Sequence, residues 1–500
     1  MNNYLEDLKN EKEIRRMLIA VKEAVRDDKE RKTLARLLAG DFSVFADLLK
    51  NEDPKVRKNA ALLLGIMEAE PYRDVLWEAY QREETLFIKA DYIKALAHFD
   101  CSMYVEQIKK RMEDLGSAEN GGENEKHTVQ ELSALKTLLI KTERPKKHMF
   151  TGKNSRMEVI LMTNRSQRQV TAEQLPEKNL RLLAGGIRFE TTHLEEILPI
   201  RTYSEILFPI PGIKHVNGSP EHMAELLTGP ALMEFLEQHH TGGWPFYFRL
   251  DIKTAMPQER RVDLLKKLSL AIERASERKL LNAPSGYEVE LRLVANKEGG
   301  FVPLLKLFTF HDWRFAYRRE LLPTSIAPVN AAIIMQIAKE YFVEGAQVLD
   351  PFCGTGTMLI ERRMLGRTGS MYGLDILEEA VLKARINTES ARVRVNYINR
   401  DFFDFRHEYR FDEIITNLPG CSKQHSEEKI TELYQRFLDK IPELMKQEAL
   451  LVLHTNELKL LTACTRNRRE FRKLREEVLN EREGSGVLLL RYVGGNKNCK

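Results

Sequence analysis

Residues 346–361 read Ala-Gln-Val-Leu-Asp-Pro-Phe-Cys-Gly-Thr-Gly-Thr-Met-Leu-Ile-Glu, and they carry the chain's clearest chemistry. An apolar strand (Ala346 to Leu349) runs into a turn holding Gly354 and Gly356, and a helix follows from about Thr357. Glycine allows positive φ there and lets a ligand touch bare main chain. The helix N-terminus offers unpaired N–H groups to a carboxylate or phosphate. Asp350 ends the strand, where its carboxylate can receive a ligand's ammonium or hydroxyl. Strand, glycine turn and helix make a nucleotide-type cradle at the carboxyl edge of a parallel sheet.

Two common cradles are excluded. The third glycine of the dinucleotide fingerprint falls on Leu359, and no Gly-Lys-Ser/Thr of a phosphate-binding loop follows. Asp350-Pro-Phe-Cys-Gly-Thr-Gly-Thr357 instead resembles motif I of class I S-adenosylmethionine-dependent methyltransferases, in the branch that modifies exocyclic nitrogens of RNA bases. The resemblance implies S-adenosyl-L-methionine as cofactor. It assigns Asp350, Phe352, Gly354 and Gly356 to its binding. It also implies a second strand ending in a carboxylate for the ribose hydroxyls, here Ser370 to Asp375, 25 residues after Asp350 and followed by Ile376. A third strand, Val395 to Asn399, leads to Asp401, placed to take the adenine amino group, with Phe402 or Phe403 as the stacking ring.

The fourth strand, Phe411 to Thr416, delivers Asn417-Leu418-Pro419-Gly420 at the position of the Asn/Asp-Pro-Pro-aromatic motif. In that family the Asn or Asp side-chain oxygen and the carbonyl between the prolines accept hydrogen bonds from the target NH₂. That arrangement aims the nitrogen lone pair at the methyl group. Asn417 and Pro419 are the implied catalytic residues. Two positions depart from the pattern. Leu418 stands for the first proline, and Gly420 for the aromatic that stacks on a flipped base, so another group, with 421–434 as the candidate segment, has to stack or the site is weakened.

The elements needed to position these residues are legible around them. From about Leu321 strands and helices alternate, as in a doubly wound α/β sheet, and the count suits a seven-stranded Rossmann-like domain over 313–500 ending in an antiparallel hairpin. Expected late elements are a helix from Glu427 to Met445, a strand from Ala449 to His454, a helix near Glu457 to Cys464 and a strand from Val487 to Tyr492. The basic run Arg466 to Arg475 is expected at an RNA entrance or on a solvated helix face.

Upstream, residues 151–312 read as α+β. Strands are expected at Met157–Met162, Gly185–Phe189, Phe246–Lys253, Tyr287–Ala295 and Phe301–Phe308, with helices at 167–175 and 260–279. Met157 to Phe189 with Arg201 resembles the small subdomain that accompanies THUMP RNA-binding domains, and Phe246 to Phe310 resembles THUMP itself. Trp313 to Arg319 resembles the Arg/Tyr-rich exit into the catalytic domain. Lys146, Lys147, Lys153, Arg156, Arg165 and Arg168, then Arg314, Arg318 and Arg319, cluster as candidate phosphate contacts.

Residues 1–115 read as helices with a HEAT-type pattern. Asp53-Pro54-Lys55-Val56-Arg57 opens one unit, and Ile88, Lys89, Tyr92, Ile93 and Leu96 repeat Val56, Arg57, Ala60, Ala61 and Leu64 after 32 residues. Such an array would hold a protein or RNA partner. The polar, glycine-rich stretch 116–127 and a helix at 128–142 are expected to form a linker up to 150.

Composition bounds these readings. The 500 residues are 43% hydrophobic and 30% charged, with a net charge of +4, so nucleic-acid binding has to come from local patches. The five cysteines are scattered without metal-ligand spacing, no apolar run is long enough for a membrane span, and the first residues carry no export signal; a cytoplasmic protein is expected. The function expected is an RNA methyltransferase acting on guanine N2 in a structured RNA such as tRNA or rRNA. A non-catalytic RNA-binding assembly factor and a DNA adenine methyltransferase are the alternatives.

Overall fold

The computed structural model describes residues 14–117, 125–143, 148–283, 285–422 and 425–494. The chain divides into two compact units, 1–147 and 148–500. Lys146, Lys147 and most of the glycine-rich stretch lie outside the described residues.

The first unit is helical. Asp53 caps the helix Pro54–Ile66 by accepting from Lys55 N–H, with Pro54 in the first turn, where a missing N–H costs nothing. That helix crosses Leu86–Leu96, its counterpart 32 residues on, at a close approach: a Cβ on Gly65 would lie 2.7 Å from Ala95 Cα. Arg57 joins the pair to the intervening turn through Glu83 at 2.8 Å. One boundary is corrected. The helix Glu125–Glu143, expected in a linker, packs on Leu86–Leu96 and buries Leu135, Leu138 and Leu139 in the same core, so the helical unit continues beyond residue 115. Its apolar stripe needs a partner, and the helices before it supply one.

The second unit contains two sheets. The first comprises β1 (Met157–Thr163), β2 (Arg181–Leu183), β3 (Gly186–Thr191), β4 (Tyr203–Pro209), β5 (Phe246–Lys253), β6 (Leu280–Asn282), β7 (Val289–Ala295) and β8 (Phe301–Leu307), in the order β2-β3-β1-β4-β8-β7-β5-β6. Apolar residues of alternate positions form one core with the helices Pro220–Leu227, Pro230–Gln238 and Gln258–Ala275. Cross-strand ion pairs occupy other positions: Glu205 on β4 meets Arg292 on β7 and Lys306 on β8, each at 2.6 Å. Several expected phosphate contacts are engaged within the protein. Arg314 is buried, donating to the carbonyls of Ile200 and Tyr203 and paired with Asp312, which removes it as an RNA contact. Arg156 pairs with Glu190, and Arg165 and Arg168 donate to main-chain carbonyls.

The second sheet comprises β9 (Ala346–Asp350), β10 (Thr368–Asp375), β11 (Asn396–Asn399), β12 (Phe411–Asn417), β13 (Met445–Thr455), β14 (Phe471–Asn480) and β15 (Ser485–Tyr492), in the order β11-β10-β9-β12-β13-β15-β14. The first five in that order are parallel, and β15 runs antiparallel to β13 and β14. The order reverses between β9 and β12, which opens a crevice beyond their carboxyl ends. The basic run at 466–475 is not a helix face: it is a turn entering β14, drawn into the sheet by pairing with β15.

The two sheets are joined by polar contacts at the cradle helix. Glu361, the last residue of the opening motif, is buried; it accepts two 2.8 Å bonds from Arg201 and one of 2.6 Å from Tyr317. Asn387, fully buried, accepts the N–H groups of Arg319 and Glu320 and donates to Thr355 O inside the glycine turn.

Candidate active site

Every expected site residue lies at or just past the carboxyl end of a parallel strand. On the side of β9, β10 and β11, Gly356 caps the helix Thr357–Leu365 at φ +80°. A Cβ there would also run into the Tyr397 hydroxyl, so glycine is required twice over. Gly354 sits at φ +51°, and nothing lies within 4 Å of where its Cβ would be: the space over the turn is open. Asp375 fixes the turn from the next strand, accepting Gly354 N–H at 2.9 Å on one oxygen and Leu377 N–H at 2.9 Å on the other. Each oxygen keeps a second lone pair. Asn399 holds the same strand end by donating to the carbonyls of Asp375 and Ile376. Beside Asp375, Ile376 is 67% exposed, an apolar side chain standing free at the edge of the cradle.

Asp350 is fully buried. One oxygen accepts Phe352 N–H at 3.1 Å; the other makes no direct hydrogen bond among the described residues, although the Thr416 hydroxyl, likewise without a direct partner, lies close enough to favour the charged carboxylate. Burial pushes its carboxyl up to about 7, and the nearby Asp375 charge adds to the rise. Leaving a buried acceptor unmet costs about 1–3 kcal/mol. A ligand ammonium or hydroxyl would satisfy that acceptor, so the residues present fit the cofactor expected from the sequence.

Asp401 accepts Phe403 N–H at 2.9 Å and opens a short 3₁₀ turn, Phe402–Asp404. The neighbouring rings divide differently from the expectation. Phe402 is a core residue, 2% exposed and packed among Phe352 and Phe437, because its side of the turn faces the sheet. It cannot offer a stacking face. Phe403 is half-buried, with the Arg436 guanidinium 4.1 Å from its ring centre. Phe352 is also half-buried, at the margin of this aromatic cluster.

On the side of β12 and β13, Asn417 and His454 are paired in register, and Asn417 Oδ1 lies 2.6 Å from His454 Nδ1. Leu418 N–H donates to His454 O at 2.8 Å. The Pro419 carbonyl accepts the Tyr434 hydroxyl at 2.7 Å, so Pro419 shapes the loop while its own carbonyl is already engaged. Thr455 completes this set at 2.5 Å from Tyr434. Gly420 has no positive φ, and an added Cβ would make ordinary 3.6 Å contact with Asn456, so neither backbone nor space demands glycine. Cys421 N–H reaches the Glu457 carboxylate at 3.2 Å.

Sequence reasoning missed His454, Tyr434, Thr455, Asn387, Asn399 and Tyr397. One signal was available for His454 and Thr455: polar residues closing an apolar strand at the edge where ligands bind in such sheets.

The family described as RMKL-like, methyltransferase domain, matches residues 316–483. A tRNA (guanine(10)-N2)-dimethyltransferase of Methanothermobacter thermautotrophicus is 34% identical over 132 residues, which cover 26% of this chain and 38% of that protein. The chain therefore spans well under half the length of that relative in the match. Among solved structures, TrmN from Thermus thermophilus superposes with a TM-score of 0.51 at 21% identity, covering 67% of this chain and all of that one. SMU.472, assigned to the methyltransferases and solved with SAH, gives 0.51 at 16% identity over 68% of this chain and 99% of its own. The fold is that of the class I methyltransferases, with an added helical region at the N-terminus.

Proposed function

We propose that this protein is an S-adenosylmethionine-dependent RNA methyltransferase that modifies the exocyclic N2 of guanine in a structured RNA, tRNA or rRNA. The observation that carries this reading is the crevice between β9 and β12. A buried carboxylate with an unmet oxygen lies on one side of it, and a carboxamide held by its neighbours lies on the other. S-adenosylmethionine, when bound, supplies a methyl group on a sulfonium, which is electrophilic without acid assistance.

Asp350 would receive its ammonium, Asp375 its ribose hydroxyls, Asp401 its adenine amino group and Ile376 one face of the adenine. Asn417 Oδ1 and the Leu418 carbonyl would accept hydrogen bonds from the target NH₂ and orient its lone pair. The nitrogen would take the methyl by direct displacement, with the S–CH₃ bond breaking and S-adenosylhomocysteine leaving, and would shed a proton to water. Positioning supplies most of the acceleration. The α+β sheet of 148–310, read as THUMP-like, would hold the RNA, and the HEAT-like helical unit would hold further RNA or a protein partner. The tRNA guanine-N2 methyltransferase similar to this chain supports the choice of base. Among the described residues no helix is long and apolar enough to cross a membrane.

The test is transfer of labelled methyl to total RNA, and in parallel to genomic DNA, from cells lacking this protein, followed by nucleoside analysis. N2-methylguanosine is expected. Label appearing as N6-methyladenosine in DNA, or on no nucleic acid despite cofactor binding, would replace this reading with the corresponding alternative.

A further inference from the structure

Asn417 can orient an amine only if its own carboxamide is oriented, and the structure shows what does so. His454 is the penultimate residue of β13, directly across the parallel pair from Asn417, and only 5% exposed. A carboxamide oxygen only accepts, so at 2.6 Å the hydrogen must be on His454 Nδ1. Burial pushes the imidazole down to about 4, so the ring is neutral near pH 7 and its proton resides on Nδ1, leaving Nε2 bare.

The backbone contacts point the same way. Leu418 N–H donates to His454 O, which fixes the spacing of the two strand ends just where the acceptor loop begins. One residue on, the hydrogen-bond directions are also determined. Glu457 N–H donates to Thr455 Oγ1, and the Pro419 carbonyl can only accept from the Tyr434 hydroxyl; the Thr455 hydroxyl therefore donates to Tyr434. The end of β13 thus holds the loop at Asn417, Leu418 and Pro419.

We infer that His454 is a positioning residue for methyl transfer: its Nδ1–H occupies one lone pair of Asn417 Oδ1 and turns the other toward the target amino group. This rests on the role proposed above for Asn417. His454 acts through Asn417, and burial, which holds the imidazole down to about 4, leaves its bare Nε2 a weak base near pH 7. Tyr434, itself accepting from Thr455, donates to the Pro419 carbonyl, which leaves the Leu418 carbonyl as the second acceptor of the loop.

The experiment uses the full chain, with His454→Leu, His454→Asn and Asn417→Ala made singly and the first combined with the third. Losing an outer partner of this kind typically costs 10–100-fold. His454→Leu is expected to lower kcat by about that factor, with cofactor affinity and the KM for RNA unchanged. In His454→Asn the Nδ2 replaces the ring Nδ1, and kcat should return most of the way. The double variant should be no slower than Asn417→Ala, because one function has been removed twice. Wild-type kcat in His454→Leu, or losses that multiply in the double variant, would overturn the inference.

A second readout does not depend on turnover. Histidine ¹⁵N NMR of the wild-type chain at pH 7 should assign His454 as the neutral Nδ1–H tautomer, and an Nε2–H tautomer or an imidazolium would equally overturn it. If the wild-type chain methylates nothing, the functional proposal fails, and the NMR result still decides the pairing.

Discussion

The two sides of the crevice are built on opposite terms. On the side of β9 and β10, the Asp350 carboxylate is buried with one oxygen lacking a direct hydrogen bond, and the turn that follows is open at Gly354. On the side of β12 and β13, Asn417 and the loop after it are tied by hydrogen bonds to His454, Thr455 and Tyr434. A site that leaves a buried group unsatisfied in the free protein recovers that cost when a ligand arrives, which favours affinity. A site whose acceptors are held before the substrate enters spends no binding energy on ordering them, which favours rate. On the function proposed above, one side would hold the cofactor and the other would aim the amine.

Mutations should separate the two sides, and the largest effect falls on the amine side. Asn417→Ala is expected to lower the transfer rate by about 10²–10⁴-fold while cofactor binding, read by calorimetry, stays at the wild-type value. Asp375→Ala is its mirror image. It removes a carboxylate that also holds Gly354 and Leu377, and cofactor affinity should fall about a hundredfold, equivalent to about 2.7 kcal/mol.

The glycines sharpen the contrast within the cofactor side. Gly356→Ala meets both the positive φ and Tyr397, and should destabilise the chain by about 1–3 kcal/mol in denaturant unfolding. Tyr397→Phe in the same chain should recover part of that loss. Gly354→Ala has room for its Cβ, so its effect on unfolding should be smaller, at about 1 kcal/mol, and its main effect should be on cofactor affinity.

The smallest effects are in pH. Asp350 titrates near 7 when folded against 3.8 ordinarily, so its contribution to stability is present below about 3.8 and is lost as pH rises through 7. His454 titrates near 4 when folded against 6.5, so its contribution is present above 6.5 and is lost as pH falls toward 4. Thermal melts of the ligand-free chain should therefore carry two opposing contributions between about pH 4 and 7: Asp350→Asn should remove the loss of stability as pH rises through that window, and His454→Asn should reduce the loss as pH falls through it. A bound ammonium would favour the ionised carboxylate, so cofactor affinity should rise between about pH 6 and 8 and then level off.

The halves also differed in how far the sequence revealed them. The cradle is a local object: strand, turn and helix lie within about 20 consecutive residues, and glycine and aspartate appear where backbone and ligand require them. Its elements could be placed almost to the residue, as could β5, whose alternation marks a half-buried strand. The amine side depends on residues far apart in the chain. His454 is 37 positions from Asn417, and Tyr434 is 15 from Pro419; only the parallel pairing of β12 and β13 brings His454 to Asn417. The strands that went unread, β2, β4, β6 and β14, include short or largely exposed segments without a strong apolar period. Phe402 and Phe403 are adjacent phenylalanines, and only the direction of the turn decides which is core. Arg314 looked like a surface cation until two carbonyls were found to claim it.

The division of labour is tested most directly by measuring calorimetric cofactor binding and methyl transfer to RNA on one preparation of Asn417→Ala. Wild-type affinity for S-adenosylmethionine together with loss of N2-methylguanosine formation is the expected result. Full transfer by that variant, or loss of cofactor binding along with transfer, would contradict the assignment of the two sides.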